Sequence, residues 1–243
     1  MTRRRFAMAV FGSSVSLVEA APPLGEDMLE LFRVVEDADG YVNVRSGAST
    51  SAPVLGRVAT GCAVAVGTSK GGWRRIEDET GAGKTLYIHG SRLKEIGSWK
   101  QTRGRPETRD RSASVEAGGL RVRVVEMPFD AGAHRLVRPK AGEDGQLTID
   151  GHRVIGTDGE VPSASLVLEV TLRGKPVVVP AEATRDLYEP RLGEPDDLVL
   201  LTPGEAADHA LVFLWGSDGA GGYAVSWSFW NGRYVGRAVY TGF

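Results

Sequence analysis

Residues 41–49 read Tyr-Val-Asn-Val-Arg-Ser-Gly-Ala-Ser and carry the clearest structural signal in the chain. Val42 and Val44 alternate with larger polar or amphipathic residues, a pattern typical of a strand with one buried and one solvated face. The solvated face carries Tyr41, Asn43 and Arg45. The Ser-Gly pair that follows supplies turn chemistry, because glycine adopts positive φ without steric cost. The stretch therefore predicts a short, half-buried strand that ends in a turn.

Four later segments continue the pattern of short strands separated by glycine. Residues 54–58 (Val-Leu-Gly-Arg-Val) and 61–66 (Gly-Cys-Ala-Val-Ala-Val) predict the next two strands. Residues 71–76 (Gly-Gly-Trp-Arg-Arg-Ile) predict a strand that bears one large aromatic residue, Trp73. Residues 87–93 (Tyr-Ile-His-Gly-Ser-Arg-Leu) predict a final strand that ends at a Gly-Ser turn. Runs of this length, bounded by turn residues, are typical of a small antiparallel β structure.

Taken together, these segments resemble the bacterial SH3 domain. The shared motifs are Tyr-Val-Asn-Val-Arg-Ser-Gly-x-Ser at 41–49 and the closing segment at 87–93, in which Tyr87 stands where the family carries tryptophan. The resemblance spans residues 32–96, about a quarter of the chain. It implies an SH3-like small barrel that binds cell-wall peptides or serves as an interaction module.

The composition favours β structure in the rest of the chain as well. The 32 glycines and 12 prolines are spread through short apolar runs, which indicates many tight turns. A length of 243 residues leaves room for two modest domains. Residues 97–117 are mostly polar or charged and predict a solvated, mobile linker. Residues 118–243 predict a second antiparallel β domain, either a sandwich or a barrel, so the whole chain is expected to be all-β.

The C-terminal residues 223–240 predict a hairpin. The Asn-Gly pair at 231–232 is the preferred pair for a type I′ turn. A uniform two-residue register places Trp227 opposite Gly236, where the indole ring would cover the bare glycine backbone. Ser226 and Ser228 lie on the other face, and the alternation predicts that this face is solvated.

Residues 1–20 have the features of an export signal. Three arginines precede a short apolar segment, and Val-Glu-Ala at 18–20 forms a small-residue cleavage site. The order Thr-Arg-Arg-Arg-Phe at 2–6 suits a twin-arginine signal, and a Sec signal with extra arginines is the alternative. The apolar segment is too short for a membrane span. We therefore expect a periplasmic or secreted protein without a membrane-spanning segment.

Several classes of function are disfavoured by composition. The net charge of −2 argues against a general nucleic-acid binder. Cys62 is the only cysteine, so no intrachain disulfide can form, and its apolar surroundings predict a buried, inert thiol. The histidines show no His-x-x-x-His spacing, so neither a zinc site nor another cofactor is expected. They are His89, His134, His152 and His209.

The polar face of the 41–45 strand is the predicted ligand-binding surface. Tyr41, Asn43 and Arg45 share this face by strand periodicity. Trp73 and Tyr87 are the aromatic residues expected to flank a groove beside it. Aromatic platforms with a few polar donors suit extended peptides or sugars. The alternative is that the two aromatic residues close the barrel core and that Arg45 is held in a turn.

A weaker candidate site lies in the C-terminal half. Residues 216–223 form a glycine-rich stretch that would allow close backbone approach to an anion, with Asp218 as the candidate site residue. The alternative is a long hairpin loop between two strands. Other acids could join Asp218 as a carboxylate cluster, although their distances do not follow from sequence. These acids are Asp158, Asp186, Asp196 and Asp197.

These observations favour an exported, non-catalytic binding protein of the cell envelope. Its partner would be a peptidoglycan peptide or an envelope protein. One alternative is a hydrolase whose site lies in residues 118–243, which would require acids or a His–acid pair to converge in a cleft. Another is a secreted inhibitor or immunity protein that uses rigid β domains with protruding loops.

Overall fold

The computed structural model of the chain describes residues 29–78, 83–139, 146–217 and 221–241. The predictions made for residues 1–20 and for Asp218 lie outside these ranges. Within them the protein consists mainly of antiparallel strands and turns, with four short 3₁₀ segments and helical backbone at Leu29 and Glu30, so the all-β prediction is confirmed. The 3₁₀ segments are Gly90–Arg92, Ala131–Ala133, Ala181–Ala183 and Pro195–Asp197.

The strands of the N-terminal part form one sheet. They are β1 (Phe32–Val35), β2 (Tyr41–Arg45), β3 (Val54–Ala59), β4 (Ala63–Lys70), β5 (Trp73–Ile76), β6 (Leu86–His89) and β7 (Leu93–Lys94). Their order is β3-β2-β6-β5-β4-β1-β7. Within the described residues β3 does not pair with β7, so this SH3-like unit is an open sheet and not the closed barrel that was expected.

The remaining strands follow in chain order. They are β8 (Lys100–Arg103), β9 (Arg105–Glu107), β10 (Ser112–Ala117), β11 (Leu120–Pro128), β12 (Leu136–Val137), β13 (Thr148–Ile149), β14 (His152–Arg153), β15 (Ala164–Leu172), β16 (Lys175–Pro176), β17 (Leu198–Thr202), β18 (His209–Gly216), β19 (Tyr223–Trp230) and β20 (Arg233–Tyr240). They form an outer sheet (β16-β15-β11-β10-β9), a middle sheet (β20-β19-β18-β17-β8) and a small sheet of β12, β13 and β14.

The outer and middle sheets pack face to face, which makes this part a sandwich. Their shared core contains Val122 and Val124 from β11, Leu200 from β17, and Tyr223 and Trp227 from β19, all buried. The Trp227 indole N–H donates a hydrogen bond to the Ala183 carbonyl oxygen at 2.9 Å, so the large ring is buried with its one polar group satisfied.

The middle sheet is covered on its second face by the N-terminal sheet. Phe32 and Ala63 from β1 and β4 join Leu211, Phe213 and Ala238 from the middle sheet in one buried cluster. Phe32 and Phe213 make an edge-to-face contact with ring centroids 5.1 Å apart. The protein is therefore a stack of three layers, with the middle sheet buried on both sides.

This stack overturns the prediction of a solvated face on the last hairpin. Ser226 and Ser228 are fully buried beneath the N-terminal sheet, and the Ala63 N–H donates a hydrogen bond to Ser228 Oγ at 2.8 Å. A serine-bearing face looks solvated when the strand is considered alone. Here a second layer covers it and one of the serines bonds to that layer.

The predicted hairpin register is correct only next to the turn. Phe229 lies opposite Tyr234 as expected, but an irregularity between Ser228 and Phe229 shifts the pairing, so Trp227 lies opposite Arg237. The indole therefore does not cover Gly236. A Cβ atom on Gly236 would lie 2.6 Å from Cys62 Sγ, so the residue is a glycine because the N-terminal unit approaches closely there.

The prediction of a mobile linker at 97–117 is wrong. β8 pairs with β17 as an edge strand of the middle sheet, and β9 and β10 belong to the outer sheet. Gly104 lies at the crossing, where a Cβ atom would come within 2.8 Å of the Leu198 carbonyl oxygen. The segment looked polar because its inward residues, such as Ala113 and Val115, are small and its outward residues are charged.

Candidate functional site

The predicted strand β2 forms one wall of a cleft of about 400 Å³, here called the β2 cleft. Its lining contains four of the residues predicted to bind a ligand. The cleft is lined by Asp37, Asp39, Tyr41, Val42, Asn43, Arg45, Thr50, Trp73, His89, Ser91 and Arg92. Val42 and Val44 are buried and the intervening residues are half-buried, as the alternation predicted.

The cleft exists because β2 and β6 separate soon after they meet. Their only paired residues in the described part of the chain are Arg45 and Tyr87. From there β6 continues beside β5, where His89 lies opposite Trp73, and then enters the 3₁₀ segment that carries Ser91. The gap between the diverging strands is the cleft.

The two predicted aromatic residues have different positions. Trp73 lines the cleft but is only 7% exposed, and its ring meets the His89 ring edge to face with centroids 5.1 Å apart. It therefore closes the core and forms a wall of the cleft at the same time. Tyr87 is half-buried, pairs with Arg45 and Arg75, and is not among the lining residues.

One end of the β2 cleft carries an ion pair and a second carboxylate. Asp37 Oδ2 lies 3.0 Å from Arg92 Nη1, and Asp37 Oδ1 accepts a hydrogen bond from the Asp39 N–H at 2.9 Å. The Asp37 charge is therefore neutralised within the wall. Asp39 is exposed, and within the described residues its carboxylate makes no ion pair. This end of the cleft presents one uncompensated negative charge.

The other end of the cleft carries a guanidinium group. Arg45 Nη1 donates a hydrogen bond to the Ala52 carbonyl oxygen at 2.7 Å, which fixes the side chain against the turn after β2. The structure therefore holds Arg45 against a turn, as the alternative interpretation had it, and the residue also lines the cleft. A guanidinium group has five N–H donors, so this contact leaves others for a ligand.

Tyr41 lies between these two charged ends. The Arg57 guanidinium carbon lies 4.2 Å from the centre of the Tyr41 ring, a cation–π contact that holds the ring in place. The ring lines the cleft together with Asn43, whose amide offers both donors and an acceptor. The cleft thus combines an aromatic surface, an amide and opposite charges at its two ends.

Sequence reasoning missed the cleft residues that lie outside β2 and β5. Asp37 and Asp39 belong to the Asp-Ala-Asp-Gly turn that precedes β2. His89 Nδ1 lies 2.8 Å from Ser91 Oγ, so these two residues are linked in the opposite wall. Only the proximity of the turn to the 41–45 motif could have pointed to the acids.

Among the described residues, Asp186, Asp196 and Asp197 are not gathered into the predicted carboxylate cluster. Asp186 binds Arg237 through two hydrogen bonds of 2.6 and 2.7 Å. Asp196 and Asp197 bind different arginines, and Asp197 also accepts hydrogen bonds from backbone N–H groups at its own 3₁₀ turn. These acids stabilise the sandwich. Within the described ranges no group of three or more His, Cys, Asp or Glu side chains could hold a metal ion.

One histidine–acid pair is present on the surface of this half. His134 Nδ1 lies 2.7 Å from Asp150 Oδ2, and both side chains are partly exposed. The hydrogen bond from His134, together with one from the Arg135 N–H, lowers the pKa of Asp150 below its ordinary value. Phe129 stacks on the His134 ring with centroids 4.8 Å apart.

Comparison with known proteins assigns the N-terminal unit to a family. Residues 38–94 match the family model of the bacterial SH3 domain, so this part of the chain is a bacterial SH3 domain. Such a domain is a binding module, often for peptidoglycan or proteins. No curated protein and no solved structure matches the chain.

The match covers β2 to β7 and therefore contains the whole β2 strand and both walls of the β2 cleft, apart from Asp37. None of the helical segments in the described residues is long and apolar enough to cross a membrane.

Proposed function

We propose that the protein is an exported, non-catalytic binding protein of the cell envelope whose SH3 domain holds a cell-wall peptide in the β2 cleft. The observation that carries this proposal is the convergence of Tyr41, Asn43, Arg45 and Trp73 on one cleft inside the matched domain. Their convergence favours a recognition site over four unrelated structural roles.

The chemistry of the cleft suits a peptide that carries both charges. Peptidoglycan peptides contain free carboxylates and amines beside small side chains. A carboxylate can accept from the remaining Arg45 N–H groups, and an amine can bind the uncompensated Asp39 carboxylate. The Tyr41 ring supplies apolar contact at low entropic cost.

The second half of the chain would hold the domain rigidly and leave the cleft open. The middle sheet packs on β1 and β4, through contacts such as Phe32 with Phe213. The cleft lies on β2 and β6. Ligand binding therefore need not disturb the contact between the layers.

Peptidoglycan sedimentation tests the proposed binding. The wild-type protein should sediment with purified peptidoglycan, and a Tyr41→Ala/Arg45→Ala variant should lose roughly 90% or more of the bound fraction, since two contacts of about 1 kcal/mol each are removed. Lys70→Ala is the matched control, because this exposed lysine belongs to the same domain but not to the cleft. Equal sedimentation of all three proteins would contradict the proposal.

Export is supported by the signal-like pattern of residues 1–20 and has its own test. The full-length chain should reach the periplasm or the medium when expressed in a bacterium. A chain that begins at residue 21 should stay in the cytoplasm. Retention of both forms in the cytoplasm would contradict the export proposal without affecting peptide binding.

A hydrolase remains the second candidate, and the His134–Asp150 pair is the observation that favours it. A carboxylate that orients a histidine is a common arrangement for a general base. If this pair acts on the cell wall, purified protein should lower the turbidity of a peptidoglycan suspension, and His134→Ala should abolish that activity. If the wild-type protein does not lower the turbidity, the hydrolase candidate is excluded.

A further inference from the structure

The edge of β2 that faces the cleft lacks a continuous strand partner in the described residues. On the opposite edge β2 pairs with β3, with Tyr41 opposite Ala59 and Asn43 opposite Arg57. The next pair in this register is Gly40 and Thr60, and the Thr60 N–H donates to the Gly40 carbonyl oxygen at 2.9 Å. Gly40 is thus at a hydrogen-bonded position of the β2–β3 ladder.

Hydrogen-bonded and non-hydrogen-bonded pairs alternate along an antiparallel ladder. Because Gly40 bonds towards β3, Val42 does so as well, and the N–H and C=O groups of Tyr41 and Asn43 point to the other edge. On that edge β2 pairs with β6 only at Arg45. Within the described residues, neither Tyr41 nor Asn43 therefore has a ladder partner on the cleft side.

An unpaired strand edge beside a cleft is a template for another strand. We infer that the β2 cleft binds its peptide as an added β-strand, which hydrogen-bonds to the backbone N–H and C=O groups of Tyr41 and Asn43. This inference rests on the proposed function and names the mode of binding and the class of ligand, an extended peptide. A glycan strand has no alternating main-chain N–H and C=O groups and cannot satisfy this edge in the same way.

The charges at the two ends of the cleft determine where the charged groups of the added strand lie. Asp39 precedes the edge and Arg45 ends it, and the two positions are six residues apart in the chain, a span of up to roughly 20 Å. The occupant is therefore a peptide of about four to six residues with a cationic group near Asp39 and a carboxylate near Arg45. Asp37 and Arg92 neutralise each other and therefore do not select a charged group of the peptide.

Two substitutions at Asn43 separate the contribution of its backbone N–H to peptide binding from the contribution of its side chain. Asn43→Pro removes an N–H that does not belong to the β2–β3 ladder, and proline is tolerated on a strand edge that faces away from its neighbour. Asn43→Ala removes the side chain and keeps the N–H. The difference between the two variants measures the hydrogen bond to the peptide backbone.

The experiment uses the full chain and soluble fragments of digested peptidoglycan, in one arm with the stem peptides attached and in the other with the peptides removed by an amidase. We expect the wild type to bind only the peptide-bearing fragments and Asn43→Pro to bind them about 10-fold more weakly than Asn43→Ala. Equal affinity of the two variants, or equal binding of peptide-free fragments, would overturn strand addition while cell-wall binding stands. Failure of the wild type to bind either fragment would remove the proposed function itself.

Amide hydrogen exchange of the wild-type protein provides a second measurement that does not depend on the folding of a proline variant. Saturating peptide-bearing fragments should slow exchange of the Tyr41 and Asn43 amides at least about 10-fold. The Val42 amide, which already bonds to β3, should change little. Bound fragments that leave the Tyr41 and Asn43 amides unprotected would refute strand addition.

Discussion

The bacterial SH3 domain presents two unlike surfaces. Through β1 and β4 it meets the middle sheet, where Phe32 and Ala63 are fully buried and Cys62 lies against Gly236. Along β2 and β6 it presents a half-buried cleft with polar groups and an incomplete strand ladder. The domain is therefore an integral layer of the stack on one side and an open, polar surface on the other. Substitutions on the two surfaces should therefore affect different properties.

The largest expected effect is on stability, from Phe32→Ala at the buried surface. The side chain is fully buried and contacts Phe213, so its removal leaves a cavity between two layers. We expect the free energy of unfolding to fall by about 3–5 kcal/mol. Leu55→Ala is the control, because Leu55 on β3 is 52% exposed and should cost less than about 1 kcal/mol. Equal losses in denaturant unfolding would mean that the layers do not pack as described.

The two buried serines of β19 provide a sharper test of the same contact. Ser228→Ala removes the acceptor of the Ala63 N–H and should cost about 1–3 kcal/mol, because a buried donor is left unsatisfied. Ser226 is equally buried, but its hydroxyl has no hydrogen-bond partner among the described residues. Ser226→Ala should therefore be neutral or slightly stabilising. Chemical denaturation of both variants measures the difference, and equal effects would contradict this hydrogen-bond assignment.

Substitutions in the β2 cleft should weaken ligand binding and leave the free energy of unfolding almost unchanged. Arg45→Ala removes one charged contact and should weaken binding of peptide-bearing wall fragments about 10-fold, which corresponds to about 1.4 kcal/mol. Its free energy of unfolding should change by less than about 1 kcal/mol, since the side chain is half-buried and makes one hydrogen bond to Ala52. Titration calorimetry and thermal unfolding give the two values. A loss of stability with unchanged binding would make Arg45 a structural residue.

The smallest expected effect is a pH dependence at the junction of the layers. His209 lies between the rings of Trp99 and Trp230, and burial lowers its pKa from 6.5 to about 4. The folded protein therefore favours the neutral ring, and its stability should fall as the pH drops from about 6.5 towards 4, where the unfolded chain takes up a proton first.

After allowance for the partial exposure of His209, the expected loss is on the order of 1 kcal/mol. His209→Gln should flatten the pH dependence of the unfolding midpoint over this range. Ligand binding at the β2 cleft should follow a different pH profile, since His209 lies at the layer contact. An unchanged dependence in the variant would assign the effect to other groups.

Local sequence patterns correctly predicted those features that depend on a single strand or a single turn. Val42 and Val44 are buried and their neighbours line a cleft, as two-residue periodicity requires. The Asn231-Gly232 turn and the adjacent Phe229–Tyr234 pair were likewise correct. These features depend on side-chain alternation and turn conformation, which neighbouring residues determine.

Features that depend on a second layer were not predictable in the same way. The polar stretch 97–117 contains strands because β17 and β11 offered partners for them. The serine face of β19 is buried because the N-terminal unit covers it. In both cases the same residues would be solvated in an isolated hairpin, and only a distant part of the chain changes their surroundings.

The amino-acid sequence alone determined that the chain is all-β, that its N-terminal part contains a bacterial SH3 domain, and which face of β2 lines a cleft. Tertiary structure decided that the domain is one layer of a three-layer stack. It also decided that Asp39, Trp73 and Arg45 border one cleft. The physical reason is that periodicity is a local property of a strand, whereas burial and the convergence of charges depend on which strands become neighbours.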